Sequence, residues 1–321
     1  MIKVLFAGSP EAARNTLERL ITAQSLYDFE VAGVLSNPPS AKGRHKELIS
    51  TPVAALAAEK GIPVFTPEHL DSAAREAISP LGADILVSFA YGHIFGPKFL
   101  ALFPMGGINL HPSLLPKYRG CTPVPAAILN CDKQTAVTVQ TLSLKMDEGD
   151  ILAQTRVELD GTETAESLLT YSAEEGAHLI IDILREAAKN GKLPEGKPQV
   201  GEPSYTGIIT KEDGRINWKD SAQAIEAKIR AYYPDPGCWC MENASPLRIL
   251  EAKLCPDLEV KEEWAKAAEG TVLDFSKPHG ILIKTGSGII AVRKLQRQGK
   301  NAMDYKSFMN GARNFTGTVL E

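Results

Sequence analysis

MIKVLFAGSPE, residues 1–11, decides the fold. Ile2–Ala7 is apolar save for Lys3, as a strand covered on both faces must be. Gly8 supplies a tight turn, and Ser9-Pro10-Glu11 offers an N-cap hydroxyl, a first-turn proline and an early acid, the signature of a helix start. Working outward, the pattern repeats. Val31–Leu35, Asp84–Phe89, Gly107–Leu110 and Val137–Leu142 read as strands, most of them bounded by Gly, Pro or Asn, and Thr66-Pro67-Glu68 repeats the helix signal. Strands alternating with helices predict a doubly wound α/β domain with a largely parallel sheet. Ligands of such sheets bind beyond the carboxyl ends of the strands.

Apolar residues at helical spacing within Thr164–Ala188 predict the helix that closes this domain, and the Pro/Gly/Lys-rich stretch Asn190–Pro198 reads as a linker. Beyond it the pattern changes. One amphipathic helix, Ala222–Ala231, precedes the short strands Cys238–Met241, Leu247–Leu254, Gly270–Asp274, Gly280–Thr285 and Gly288–Leu295, which predict a small antiparallel barrel or sandwich. The expected division is 1–189 for the first domain, 190–204 for the linker and 205–321 for the second.

With 321 residues, 44% of them hydrophobic, the chain can build two cores and needs no disulfides. Its net charge of -4 argues against wholesale coating of nucleic acid but leaves room for a local basic face. The five cysteines form no C-x-x-C pair, so neither a disulfide framework nor a zinc site is expected, and Cys238 and Cys240 read as packing residues. No apolar run approaches the ~20 residues that span a bilayer, and no basic leader precedes the first strand, so a cytoplasmic location is expected.

The chemistry is concentrated in Gly106-Gly-Ile-Asn-Leu-His-Pro-Ser-Leu-Leu-Pro-Lys-Tyr-Arg-Gly120. Asn109 and His111 are two apart on a strand, so their side chains point the same way. Pro112 cannot continue a central strand, so the sheet should stop there, leaving an amide and an imidazole together at its end. Met146-Asp-Glu-Gly-Asp150 follows the strand Val137–Leu142; alone it reads as a turn with aspartates capping backbone amides.

Together, Asn-Leu-His-Pro-Ser-Leu-Leu-Pro-x-Tyr-Arg-Gly and the later Met-Asp-Glu-Gly-Asp-Ile resemble the signature of the folate-dependent formyltransferases. That family includes enzymes acting on glycinamide ribonucleotide, sugar amines and methionyl-tRNA. The resemblance implies a catalytic triad of Asn109, His111 and Asp147. It also implies a folate pocket lined by Ala90, Tyr91 and Gly92, by Ser113, Leu114, Leu115 and Pro116, and by the loop leading to Asp147. One of Leu114 and Leu115 is expected to be core.

Pro38–Leu48, with Lys42, Arg44, His45 and Lys46, looks like the basic insertion of the branch acting on methionyl-tRNA. Thr51–Phe65, Asp213–Trp218 and Ile229–Gly237 continue that match. The implied partners are 10-formyltetrahydrofolate as formyl donor and initiator methionyl-tRNA as acceptor, with an OB-like barrel as second domain. A late basic cluster, Arg293, Lys294, Arg297, Lys300, Lys306 and Arg313, is a candidate phosphate-tracking face, in which Arg293, Lys294 and Arg297 are the expected tRNA contacts.

A formyl transfer of this kind needs donors for an oxyanion and a base for the amine. Asn109 and protonated His111 suit the first role, and imidazole or carboxylate the second. Asp147 is expected to hold the His111 tautomer and stabilise the imidazolium. Direct transfer without metal, by a monomer, is expected. Gly8-Ser9-Pro10 lacks the G-x-G-x-x-G of a dinucleotide site. Two other readings stay open: a formyltransferase for a sugar amine or glycinamide ribonucleotide, and a tRNA-binding module with an inactive formyltransferase domain.

Overall fold

A computed structural model describes residues 1–42, 47–312 and 314–321, with Lys42 described by its backbone alone. Arg44, His45, Lys46 and Arg313 lie outside the described residues. The chain divides into two compact units. The first comprises Met1–Pro123, Gln134–Glu158 and Leu168–Gly207; the second comprises Val124–Lys133, Leu159–Ser167 and Ile208–Glu321.

The strands in chain order are β1 (Ile2–Gly8), β2 (Phe29–Leu35), β3 (Ser40–Lys42), β4 (Glu47–Ile49), β5 (Val64–Phe65), β6 (Ile85–Phe89), β7 (Gly107–His111), β8 (Arg119–Gly120), β9 (Gln134–Thr141), β10 (Ile151–Glu158) and β11 (Tyr205–Thr206). The main sheet of the first unit runs β10-β9-β7-β6-β1-β2-β5. Its pairings from β7 through β5 are parallel, whereas β9 is antiparallel to both β7 and β10. The predicted strands all form. The sequence reading missed β10, the short β5, the paired β8 and β11, and the β3–β4 pair, which falls in the stretch read as a basic loop.

In chain order the helices up to residue 190 are α1 (Glu11–Ala23), α2 (Pro52–Glu59), α3 (Ser72–Ile78), α4 (Pro97–Leu100), α5 (Pro123–Leu129), which from Val124 onward falls in the second unit, and α6 (Ala165–Asn190). The period-two alternation of the strands feeds two cores, one per face. Val4, Phe6, Val87, Ile108, Leu110 and Val139 pack with Leu17 and Leu20 of α1, Leu56 of α2, and Ile180 and Leu184 of α6. On the other face Leu5, Ala7 and Leu86 meet Ile78 of α3, Phe99 of α4 and Phe103. Gly176 of α6 lies so near Leu110 that a Cβ there would overlap the leucine, so this glycine sets how closely the helix approaches β7.

Two helix starts differ from the sequence reading. Pro10, not Ser9, occupies the N-cap of α1, and the Ser9 hydroxyl instead accepts from the backbone N–H of Asn37 at 3.1 Å. Helix α3 begins not at Thr66-Pro67 but at Asp71, whose Oδ1 accepts from Ala74 N at 3.0 Å. A carboxylate cap of this kind contributes about 1 kcal/mol. Thr51 caps α2 in the same way, with Pro52 at its first turn.

The second unit contains α7 (Ala222–Ala231), β12 (Cys238–Glu242), β13 (Ser245–Leu254), α8 (Glu262–Ala265), β14 (Val272–Ser276), β15 (Gly280–Lys284), β16 (Ile289–Arg297), β17 (Met303–Asp304) and α9 (Tyr305–Gly311). The antiparallel order is β12-β13-β16-β15-β14, with β17 added to β16. Residues 317–321 join the two ends. Glu321 exchanges both backbone hydrogen bonds with Met241 of β12, at 2.6 and 3.0 Å. On the other side Leu320 N donates to Gly270 O, and Val272 N of β14 donates to Thr318 O at 2.8 Å. The ring of strands closes through this segment, and closure removes the exposed edges of the sheet.

Candidate active site

β7 ends at His111, and Pro112 follows, as the sequence requires. Asn109 is level with Ser88 of β6 on one side and with Gln140 of β9 on the other. Both Asn109 and His111 face the side of the sheet opposite α6, because Ile108 and Leu110 take the α6 side. Since β9 runs antiparallel to β7, its outgoing loop cannot reach the carboxyl end of β7 directly. Residues 142–149 instead fold back over the sheet face, bringing Asp147 above Asn109 and Gln140. Gly149 makes this return possible, because a Cβ there would overlap the Thr141 carbonyl.

The three candidate catalytic side chains therefore converge. Asp147 Oδ2 lies 3.6 Å from His111 Nδ1, and Asp147 Oδ1 accepts from Asn109 Nδ2 at a long 3.5 Å. The carboxylate is fixed by shorter bonds from the backbone N–H of Gly120 (2.7 Å) and from Gln140 Nε2 (2.9 Å). His111 is buried, and its Nε2 sits 2.9 Å from the Tyr118 carbonyl. A carbonyl can only accept, so Nε2 carries a proton and Nδ1 is the nitrogen left to exchange one. The sequence reading gave the tautomer-holding role to Asp147; in the structure the Tyr118 carbonyl has it, because Asp147 is beyond hydrogen-bond reach of the ring.

Three residues here adopt left-handed backbone without being glycine: Ala90 (φ 50°), Tyr118 (φ 60°) and Asp147 (φ 55°). Such conformations cost about 1–3 kcal/mol each and persist where the surroundings over-determine them, often at functional sites.

The segment Ser113–Pro116 is mostly structural. Ser113 Oγ donates to Lys117 O at 2.6 Å, and the Ser113 carbonyl accepts from the buried Thr138 hydroxyl at 2.7 Å. Ser113, Leu115 and Pro116 are buried, and Leu114 is the half-exposed one of the pair. Ala90 and Gly92 are exposed, whereas Tyr91 points into the core, stacked on Phe95 with centroids 5.5 Å apart. Burial pushes the Tyr91 phenol up to about 12. Tyr91 is buried as a whole residue, and its carbonyl accepts from Asn37 Nδ2 at 3.1 Å. Exposed apolar side chains flank the cluster: Ile94 after β6, and Leu144 and Met146 on the loop to Asp147. The exposed Ala90 and Gly92 and the apolar side chains on these loops suit a flat heteroaromatic ligand with a polar edge. A separate cavity of about 780 Å³ opens between Leu114–Lys117, β10 and residues 195–204, and neither Asn109, His111 nor Asp147 lines it.

Sequence reasoning missed Gln140, Gln199, Arg119 and the Tyr118 carbonyl. Gln140 lies on the largely polar face of β9 with Gln134 and Thr138, so nothing in the pattern set it apart. Gln199 carried no signal either, since it belongs to the stretch read as linker.

The expected basic contacts fare unevenly. Arg293 donates to the carbonyls of His279 and Pro278 (3.0 and 3.1 Å). Arg297 forms a two-pronged pair with Glu242 (2.7 and 2.6 Å) under the Phe308 ring. Both guanidinium groups are thus engaged within the barrel, where strand pairing turns them toward turn carbonyls and a carboxylate. Lys294 is exposed.

A folded-back carboxylate, a buried imidazole and an amide converge on a doubly wound sheet, an arrangement suited to acid-base chemistry at a carbonyl. The sequence pattern described as "Formyl transferase" matches residues 2–184, and that described as "Formyl transferase, C-terminal domain" matches residues 208–313. The methionyl-tRNA formyltransferase of Treponema denticola is 42% identical to the chain, covering 98% of each. That of Roseiflexus castenholzii is 37% identical, covering 97% of this chain and 96% of the relative. The crystal structure of HypX from Aquifex aeolicus in complex with tetrahydrofolic acid shares the fold, with a TM-score of 0.64 at 14% identity over 98% of this chain and 48% of that one. The chain belongs to the formyl transferase family, alongside the methionyl-tRNA formyltransferases.

Proposed function

We propose that this enzyme transfers the formyl group of 10-formyltetrahydrofolate to the free amino group of methionine on initiator methionyl-tRNA. The observation that carries the chemistry is the convergence of Asn109, His111 and Asp147 on one side of β7. The amine attacks the formyl carbon, and negative charge gathers on the carbonyl oxygen. Among the described residues Asn109 Nδ2 has only a long contact to Asp147, so it can turn to that oxygen; one such donor contributes about 3–4 kcal/mol to the transition state.

The proton lost by the amine goes to His111 Nδ1, the nitrogen that Tyr118 leaves uncommitted. It arrives beside the Asp147 carboxylate, which stabilises the imidazolium. As the tetrahedral species collapses, the bond from the formyl carbon to the folate nitrogen breaks and that nitrogen takes the proton. The transfer is direct, without a formyl-enzyme.

The folate fits against the exposed Ala90 and Gly92 on either side of the buried Tyr91, the half-exposed Leu114 and the apolar loop to Asp147. For the acceptor, Lys42, Arg44, His45, Lys46, Arg293, Lys294 and Arg297 are the proposed phosphate and base contacts. Residues 1–189 perform catalysis and 205–321 hold tRNA. No helix among the described residues is long and apolar enough to cross a membrane; we place the enzyme in the cytoplasm, acting as a monomer.

The test is turnover with 10-formyltetrahydrofolate and charged initiator tRNA, compared with glycinamide ribonucleotide and sugar-amine acceptors. Formylation of the tRNA-bound methionine is expected, with kcat/KM falling steeply as salt rises. Preference for a small acceptor, or a flat salt response, would overturn the assignment of the acceptor.

A further inference from the structure

We infer that Arg119, Gln199 and Gln140 form a positioning relay whose donor-acceptor polarity runs in one direction and ends on Asp147. The inference rests on the reading of Asp147 given above. Gln199 Oε1 accepts from Arg119 Nε at 3.1 Å and from Nη2 at 2.8 Å. A guanidinium can only donate, so this end of the amide must be its oxygen. The other end faces three acceptors. Gln199 Nε2 lies 2.8 Å from Asp147 O, 2.9 Å from Gly149 O and 3.1 Å from Gln140 Oε1. With its oxygen held by Gln199, Gln140 must present Nε2 to the Asp147 carboxylate, at 2.9 Å. Each amide is oriented by the one before it, and the cation at the start sets the sense of the chain.

Two consequences follow. The main chain on both sides of Glu148 is clamped by one side chain, which helps Asp147 keep its left-handed backbone. The carboxylate also meets a donor where a flipped Gln140 would set an oxygen against it. Arg119 is itself steadied by Glu148 at 3.2 Å and by the Tyr205 hydroxyl at 3.0 Å. Gln199 touches none of the proposed catalytic atoms of Asn109 or His111; it acts on them through Asp147.

The decisive variant is Gln199→Glu, which keeps the side chain's shape and removes its donor. The new carboxylate faces three acceptors, and Gln140 turns to donate to it, aiming its own oxygen at Asp147. At neutral pH kcat should fall about 10²-fold, the scale of a misplaced catalytic group, with folate KM changed less than threefold. Lowering the pH protonates the new carboxyl and restores a donor, so the variant-to-wild-type ratio of kcat should rise as pH falls. Gln199→Met, which has neither donor nor acceptor, should lose kcat with a pH-independent ratio. Gln140→Glu probes the relay from its other end, and its ratio should also rise as pH falls. Thermal melts establish that each variant is folded.

An inactive wild type would refute the functional reading itself. An active wild type beside folded glutamate variants with full kcat, or with pH-flat ratios, would overturn the relay alone. Should Gln199→Glu fail to fold, the Gln140→Glu ratio decides by the same criterion.

Discussion

Asp147 and Glu242 are equally shielded, each side chain 12% exposed, yet their surroundings make them different objects. Both Glu242 oxygens are taken by the fork of Arg297, itself packed on Phe308. Charge meets permanent charge, and the pair is settled. Asp147 is held by neutral donors, the Gly120 backbone and the Gln140 amide. Among the described residues no lysine or arginine pairs with it, and its one ion-pair partner is an imidazole, which gains and loses its proton. A shielded carboxylate facing a fixed cation is architecture. One facing a titratable ring can follow a reaction.

The contrast should break most visibly at the ring. His111→Ala and Asp147→Asn should each lower kcat about 10²–10⁴-fold, the range of acid-base assistance, while equilibrium binding of folate stays within a few-fold. Near-normal turnover in either would dissolve the distinction. The Glu242 side answers in the opposite currency. Arg297→Ala should cost about 1–2 kcal/mol in a denaturant melt, since the pair is partly screened, and leave kcat intact. A kcat loss without destabilisation would contradict the structural role of this pair. Smaller again is Lys294→Ala, expected to raise KM for tRNA slightly and reduce the slope of log affinity against log salt by about one.

The two barrel cysteines give the mildest effect. Burial pushes Cys238 and Cys240 each up to about 12, so both stay protonated at pH 8. Alkylation there, read by mass spectrometry, should label the exposed Cys121 and spare them. Because the folded value exceeds the unfolded one, their contribution to stability is complete below about pH 9 and lost as pH rises toward 12.

What the sequence showed followed from local rules. The strand pattern of β1, β2 and β6 announced a two-faced sheet, and Pro112 announced where β7 ends. The spacing of Asn109 and His111 placed them on one face. Other features depend on long-range geometry that no local pattern carries. The antiparallel entry of β9 turns the loop to Asp147 back over the sheet, and closure of the barrel by residues 317–321 pairs positions 80 apart, Met241 with Glu321. Gln199 looked like linker because its three acceptors and its guanidinium partner come from segments 50 to 80 residues away. Arg293 and Arg297 looked like free positive charge because their partners appear only when β16 is paired.

The central claim is that amide and imidazole act on one reacting carbon, and a double-mutant cycle on the single-turnover rate tests it most directly. Rates would be measured for Asn109→Ala, His111→Ala and the double variant at saturating folate and methionyl-tRNA. Groups serving one transition state are strongly non-additive, so the double variant should be little slower than the worse single one. Losses that simply multiply, or an Asn109→Ala enzyme at wild-type rate, would contradict a shared centre.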